Sequence, residues 1–169
     1  MTYKAVGPWM GMQALTDTST VQNHPLGTKV VGIDNNPAAS NKGEGEFIYL
    51  KGIASTVEGS LVDYDITLGV TALSPATGGE GPVAVSMSAN VANQYGWYQV
   101  RGCAAVKAPN AAVVGAGVYM LAATPGSVDD AVVASEQILN AKFTTTTGTP
   151  SSGLAVIEIN YPFHQGAIT

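Results

Sequence analysis

Apolar residues fill both alternating sets along residues 46–57, EFIYLKGIASTV: Phe47, Tyr49 and Ile53 on one side, Ile48, Leu50 and Ala54 on the other. A short run apolar on both faces predicts a central strand. Residues 61–68, LVDYDITL, alternate more cleanly, with Asp63, Asp65 and Thr67 opposed to Val62, Tyr64, Ile66 and Leu68. One wet face and one dry face predict a half-buried strand. Residues 83–91, VAVSMSANV, set Val83, Val85 and Met87 against Ser86, Ser88 and Asn90 and predict another. Residues 95–121 read as strand, turn and returning strand, broken at Ala108-Pro109-Asn110 and closed by Thr124-Pro125-Gly126; Pro, Gly and Asn supply the backbone angles of turns.

The later chain continues the pattern. Residues 127–140 fit a short helix with Val128, Val132 and Ile138 inward, or a turn at Asp129-Asp130 followed by a strand over 138–145. Threonines 144–147 favour the strand. Residues 154–161, LAVIEINY, predict the last strand, with Pro162 ending it and 164–169 a short tail. Residues 74–82, SPATGGEGP, read as an exposed loop tip. Seven or so short strands joined by Gly/Pro/Ser turns predict an all-β fold, a small β-sandwich or β-barrel.

Residues 1–44 differ from the rest of the chain. Pro8, Pro25 and Pro37 interrupt them, no helical period is sustained, and 26–33 hold at most one short strand. Trp9, Met10 and Met12 are too apolar for a solvated tail. The expectation is an extended N-terminal arm over 1–44, strapped to a neighbour through these three side chains, ahead of a β-domain over 45–169.

Charge narrows the partners. The net charge is −5, only 11% of residues are charged, and the seven Lys and Arg are scattered. Nucleic-acid binding by counterion release has no basic footprint here. A surface so poor in charge suits burial against protein partners. The N-terminus lacks the charged and apolar regions of a signal peptide, and no apolar run is long enough to span a bilayer. A soluble chain made in a cytoplasm is expected.

Candidate chemistry is sparse, and no catalytic residue, cofactor or metal is expected. His24 and His164 stand in the two loosely patterned ends, with no cysteine at zinc-site spacing, and read as solvated. Cys103, the single cysteine, reads as a buried, inert thiol, with Arg101 two residues away the only argument for a reactive thiolate. Asp63 and Asp65 share a strand face, about 7 Å apart by the strand rise, a spacing of interest for glycoside hydrolysis or calcium; two solvated acids is the simpler reading. Trp97 and Tyr98 offer stacking surfaces, although a Trp inside a strand packs in a core by default.

The runs NQYGWYQVRGCAAVK, AAVVGAGVYML and TPGSVDD, with GEFIYLKGIASTVEGSLVDYD upstream and SSGLAVIEINYPF at the end, are similar in strand order and turn phrases to the head decoration (capsid cement) proteins of tailed bacteriophages. The resemblance covers roughly residues 43–163 and carries no catalytic signature. It implies a non-enzymatic β-protein on the outer surface of an expanded phage head, bound to the major capsid protein and to itself as a homotrimer, and made in the host cytoplasm. The alternative is a carbohydrate-binding β-domain of a head fibre or adhesin, using Tyr95, Trp97 and the 74–82 loop. A hydrolase built on Asp63 and Asp65 is a third and weaker reading.

Overall fold

The computed structural model describes residues 3–5, 11–34, 43–53, 55–90 and 92–166. All regular structure among them is strand: β1 (Tyr3–Ala5), β2 (Lys29–Asp34), β3 (Gly43–Lys51), β4 (Leu61–Asp65), β5 (Val70–Leu73), β6 (Val83–Ser86), β7 (Tyr95–Lys107), β8 (Gly117–Met120), β9 (Val128–Asp129), β10 (Gln137–Phe143) and β11 (Leu154–His164). The expected all-β class is what forms, and the helical alternative over 127–140 does not. The strands make one hydrogen-bonded sheet in the order β1-β2-β3-β5-β4-β6-β7-β11-β10-β8-β9, and β3 also pairs with β7. That extra pairing closes β3, β5, β4, β6 and β7 on themselves, so no edge is left between the first and last of the five.

Side-chain alternation divides the interior into three clusters. Ile48, Leu50, Val62, Tyr64, Ala84, Tyr98 and Val100 pack together within the five closed strands. The alternate residues of the same strands face outward and are covered twice. Phe47, Tyr49 and Trp97 lie under the N-terminal segment, in a cluster with Tyr3, Leu15, Val30 and Met87. Leu61, Val83 and Val85 lie against the apolar inner face of the second half of the sheet, which supplies Ala104, Val106, Val118, Met120, Ile138, Phe143, Ile157 and Ile159. Strands apolar on both faces are what a wall covered on both sides requires.

β7 joins the two halves. Its first half pairs with β3 and β6, and its second half with β11. The register with β3 slips between Glu46 and Phe47, opposite Arg101 and Gln99, which is a bulge. Gly102 follows it at φ 94°, and a Cβ there would lie 2.4 Å from the Glu44 carbonyl oxygen. Only glycine meets both the left-handed angle and the close approach, so the strand can turn from one partner to the other.

Several boundaries differ from expectation. The strand over 61–68 stops at Asp65, because its carboxylate caps the turn, with Oδ1 accepting from the N–H groups of Thr67 (2.7 Å) and Leu68 (3.0 Å). β5 comes next, a strand the periodicity does not reveal. β11 runs past Pro162 to His164: its register with β10 is Ala141↔Ile159 and then Leu139↔Phe163, a bulge that takes in Tyr161 at φ 50° and Pro162. A proline is tolerated where the ladder is already broken.

The described stretches of residues 1–44, where an extended arm was expected, are joined to the chain's own sheet. β1 pairs with β2, and β2 pairs with β3 from Lys29↔Ile48 to Asp34↔Gly43. Residues 11–28 lie on the aromatic outer face of β3 and β7 in the same chain. Among the described residues of this segment, Tyr3, Leu15 and Val30 are buried in the chain's own fold. Met12 packs partly against this cluster; Trp9 and Met10 fall outside the described residues.

Candidate functional site

Two clusters gather the polar side chains that sequence reading singles out. The first centres on Gln13, which lies over β3 and β7. Its backbone N–H donates to His24 Nε2 (3.3 Å), and its carbonyl accepts from Trp97 Nε1 (3.1 Å). Its side-chain oxygen accepts from Tyr49 OH and Asn23 Nδ2 (3.0 Å each), and its amide donates to the carbonyls of Asp17 (2.7 Å) and Tyr95 (3.1 Å). The segment is further paired at Ser19↔Tyr95. His24 sits edge-on to Tyr49 with ring centroids 5.0 Å apart, and 5.4 Å from Trp97. The expected solvated His24 is therefore a half-buried packing residue that accepts from the Gln13 N–H. Trp97 is fully buried and Tyr95 half-buried, stacked on Tyr49. The stacking surface expected for a sugar is already occupied by the chain itself.

The second cluster forms where the 74–82 loop meets the end of β11. His164 Nε2 lies 2.8 Å from Asp63 Oδ1, and Ser74 Oγ donates to the same oxygen. The His164 side chain is 0% exposed, against 21% for Asp63. Its ring packs on Gly79 so closely that a Cβ at Gly79 would come within 2.3 Å of it. Glu136 Oε1 accepts from the Gly78 N–H (2.9 Å), and the His164 N–H donates to the Gly81 carbonyl (3.0 Å). The loop is thus tied down at Ser74, Gly78 and Gly81, while Thr77, Gly78, Glu80 and Gly81 remain exposed as the expected tip; His164, expected to be solvated, is buried.

Ser, His and Asp in contact invite comparison with a hydrolytic triad. A triad needs the serine bonded to the histidine and open to substrate. Here Ser74 is buried and bonded to the aspartate, on the oxygen that also meets histidine. The geometry is that of a clasp. Asp63, Asp65 and Glu80 do line a depression of about 340 Å³, together with Tyr64 and Thr71. Asp63 is engaged in the clasp and Asp65 in the turn it caps, so the carboxylate pair holds strands and loops in place.

Arg101 forms an ion pair with Glu46 at 2.8 Å, and Tyr161 OH donates to the other oxygen of Glu46. The Tyr161 bond, the largest influence, and the Arg101 contacts hold the Glu46 carboxyl below its usual range, working against its own desolvation. Lys29 Nζ lies 4.6 Å from the centre of the Tyr161 ring. Arg101 is therefore engaged with Glu46 rather than with Cys103. The cysteine is half-buried, where a fully buried thiol was the expectation. Burial pushes the thiol up, and so does the charge of Glu158, its cross-strand partner, which is the opposite of what a reactive thiolate needs. Among the described residues no group of three or more His, Cys, Asp and Glu is placed to hold a metal ion. The long-range partners at Gln13 and His164 carry no sequence signal, because they join positions 84 and 101 residues apart.

No protein-family model matches the chain, and no curated protein matches it either.

Proposed function

We propose that the chain is a structural binding protein that decorates the outside of a phage capsid and stabilises it, acting with other copies of itself as a homotrimer. One observation supports this reading above the others. The side chains best suited to chemistry (Asp63, Asp65, His24 and His164) are engaged in holding the chain's own strands and loops, while 11% charge leaves a bland exterior. The resemblance in strand order and turn phrases to head decoration proteins supplies the identity of the partner, the major capsid protein. The mechanism is mechanical: apolar surface buried between subunits and shell contributes roughly 25 cal/mol per Å² before ordering costs, and several copies attached together add avidity.

The test uses expanded heads assembled from the major capsid protein encoded in the same genome and lacking this chain. Purified chain added to them binds to a saturating stoichiometry and raises the temperature at which they rupture. Heads that rupture at the same temperature with and without saturating chain overturn the reading.

A further inference from the structure

We propose that the loops at residues 108–116 and 130–135 form the docking surface, and that its occupant is an apolar patch rimmed by Lys and Arg on a protein other than this chain. The inference rests on the decoration reading and names the face that meets the shell. Loops between strands are ordinarily polar, and contiguous exposed apolar patches mark interaction sites. These two loops present Val132 (79% exposed), Val113 (63%) and Val114 (58%), with the exposed Ala111, Ala131 and Ala134 beside them in sequence.

The two loops are held together. The Val113 N–H donates to Asp130 Oδ2 (2.9 Å), and Asn110 Nδ2 donates to Asp129 Oδ2 (2.7 Å). Thr147 Oγ1 donates to the Asn110 carbonyl, and the Gly115 N–H to that of Phe143 (2.7 Å). A surface ordered before it binds loses little entropy on binding.

Charge selects the occupant. From residue 108 to 135 there is no Lys or Arg, while Asp129 and Asp130 are acidic; Lys107, at the end of β7, is the nearest cation in sequence. A second copy docked face to face would set the Asp129 and Asp130 pairs against their own counterparts, and like charges across an interface are disfavoured. A basic rim around an apolar centre matches instead.

Binding to the same heads is measured for wild type, Val132→Asp, Val114→Asp, Val132→Lys and Ile66→Asp. Ile66 is an exposed apolar residue on the β4–β5 turn, 71% accessible, and serves as the control. The expected result is a loss of about tenfold or more for the two aspartate variants, the scale of one uncompensated interfacial charge, a greater loss for Val132→Lys, and no change for Ile66→Asp. All four substitutions are at exposed positions, and unfolding curves matching wild type confirm that each folds. If wild type binds and both aspartate variants bind equally well, the docking surface is wrong while the decoration reading stands. Val132→Lys binding more tightly than Val132→Asp overturns the basic rim. Self-association that Val132→Asp abolishes overturns the choice of occupant. Wild type failing to bind heads sinks the decoration reading and this inference with it.

Discussion

Residues 11–28 and the 74–82 loop are alike in composition and are held in opposite ways. Both are rich in turn-forming residues, and both lie folded against the strands. The first is held by aromatic packing on Tyr49 and Trp97, with an uncharged residue, Gln13, at the centre of its hydrogen bonds. The second is held by ionisable groups, His164 on Asp63 and Glu136 on the Gly78 N–H. Turn composition sets local backbone geometry. It does not decide whether a loop is exposed, because that depends on the partner the loop finds across the fold.

The comparison is broken most severely at Trp97. Trp97→Ala empties the centre of the aromatic cover and removes the bond to the Gln13 carbonyl. The expected loss is about 3–5 kcal/mol of unfolding free energy, measured by denaturant titration, with faster amide exchange in residues 11–28 and unchanged exchange in 74–82. His164→Ala breaks the other cover. It leaves a hole against Gly79 and removes the histidine hydrogen bond to Asp63; the loss is about 2–3 kcal/mol, the scale of a hydrogen bond to a charged group together with lost packing. Faster exchange is then confined to the 74–82 loop.

Smaller changes sharpen the contrast. Gln13→Ala removes the side-chain bonds to Tyr49, Asn23, Asp17 and Tyr95 and leaves the packing intact. A loss of about 1–3 kcal/mol is expected, read by the same titration and smaller than that of Trp97→Ala. Tyr3→Phe removes the bond from Tyr3 OH to the Cys103 carbonyl (2.7 Å), for about 1 kcal/mol at neutral pH. Burial pushes the Tyr3 hydroxyl up to about 12, so its proton is held more tightly in the folded chain. The stability this provides is complete below the ordinary tyrosine value of 10.0 and is lost as pH rises toward about 12. Burial also raises Tyr49, Tyr64 and Tyr98, so wild type and variant both weaken in alkali. Stability measured across that range falls less steeply in Tyr3→Phe than in wild type.

How much of this is legible in the sequence depends on the range of each interaction. β3, β4, the long β7 and the β-class show in the alternation, which is local. β5 escapes it because four residues, Val70–Leu73, are too few to show a period beside the capped turn at Asp65. Pro162 reads as a strand end because proline removes a ladder donor, and the bulge that absorbs it depends on β10. The apolar character of residues 1–44 is visible in the sequence, but its partner is not: Met12 and Leu15 meet strands far ahead in the chain, as neighbours of Tyr49 and Trp97. His164 reads as solvated because nothing near it in sequence announces Asp63. The exposed valines of the 108–116 and 130–135 loops are equally silent, since an apolar residue on a loop carries no mark of its exposure.

Amide hydrogen exchange of the native chain at neutral pH tests most directly whether both segments are closed covers and the chemistry-bearing side chains structural ties. The account predicts protection at Ser19 and Gly27 in the first segment, and at Gly78 in the second, comparable to that of the flanking strands, since each of these N–H groups is hydrogen-bonded within the fold. Exchange at the rate of an unstructured peptide throughout both segments would contradict it, leaving Trp97 and the His164–Asp63 pair open to solvent and to ligands.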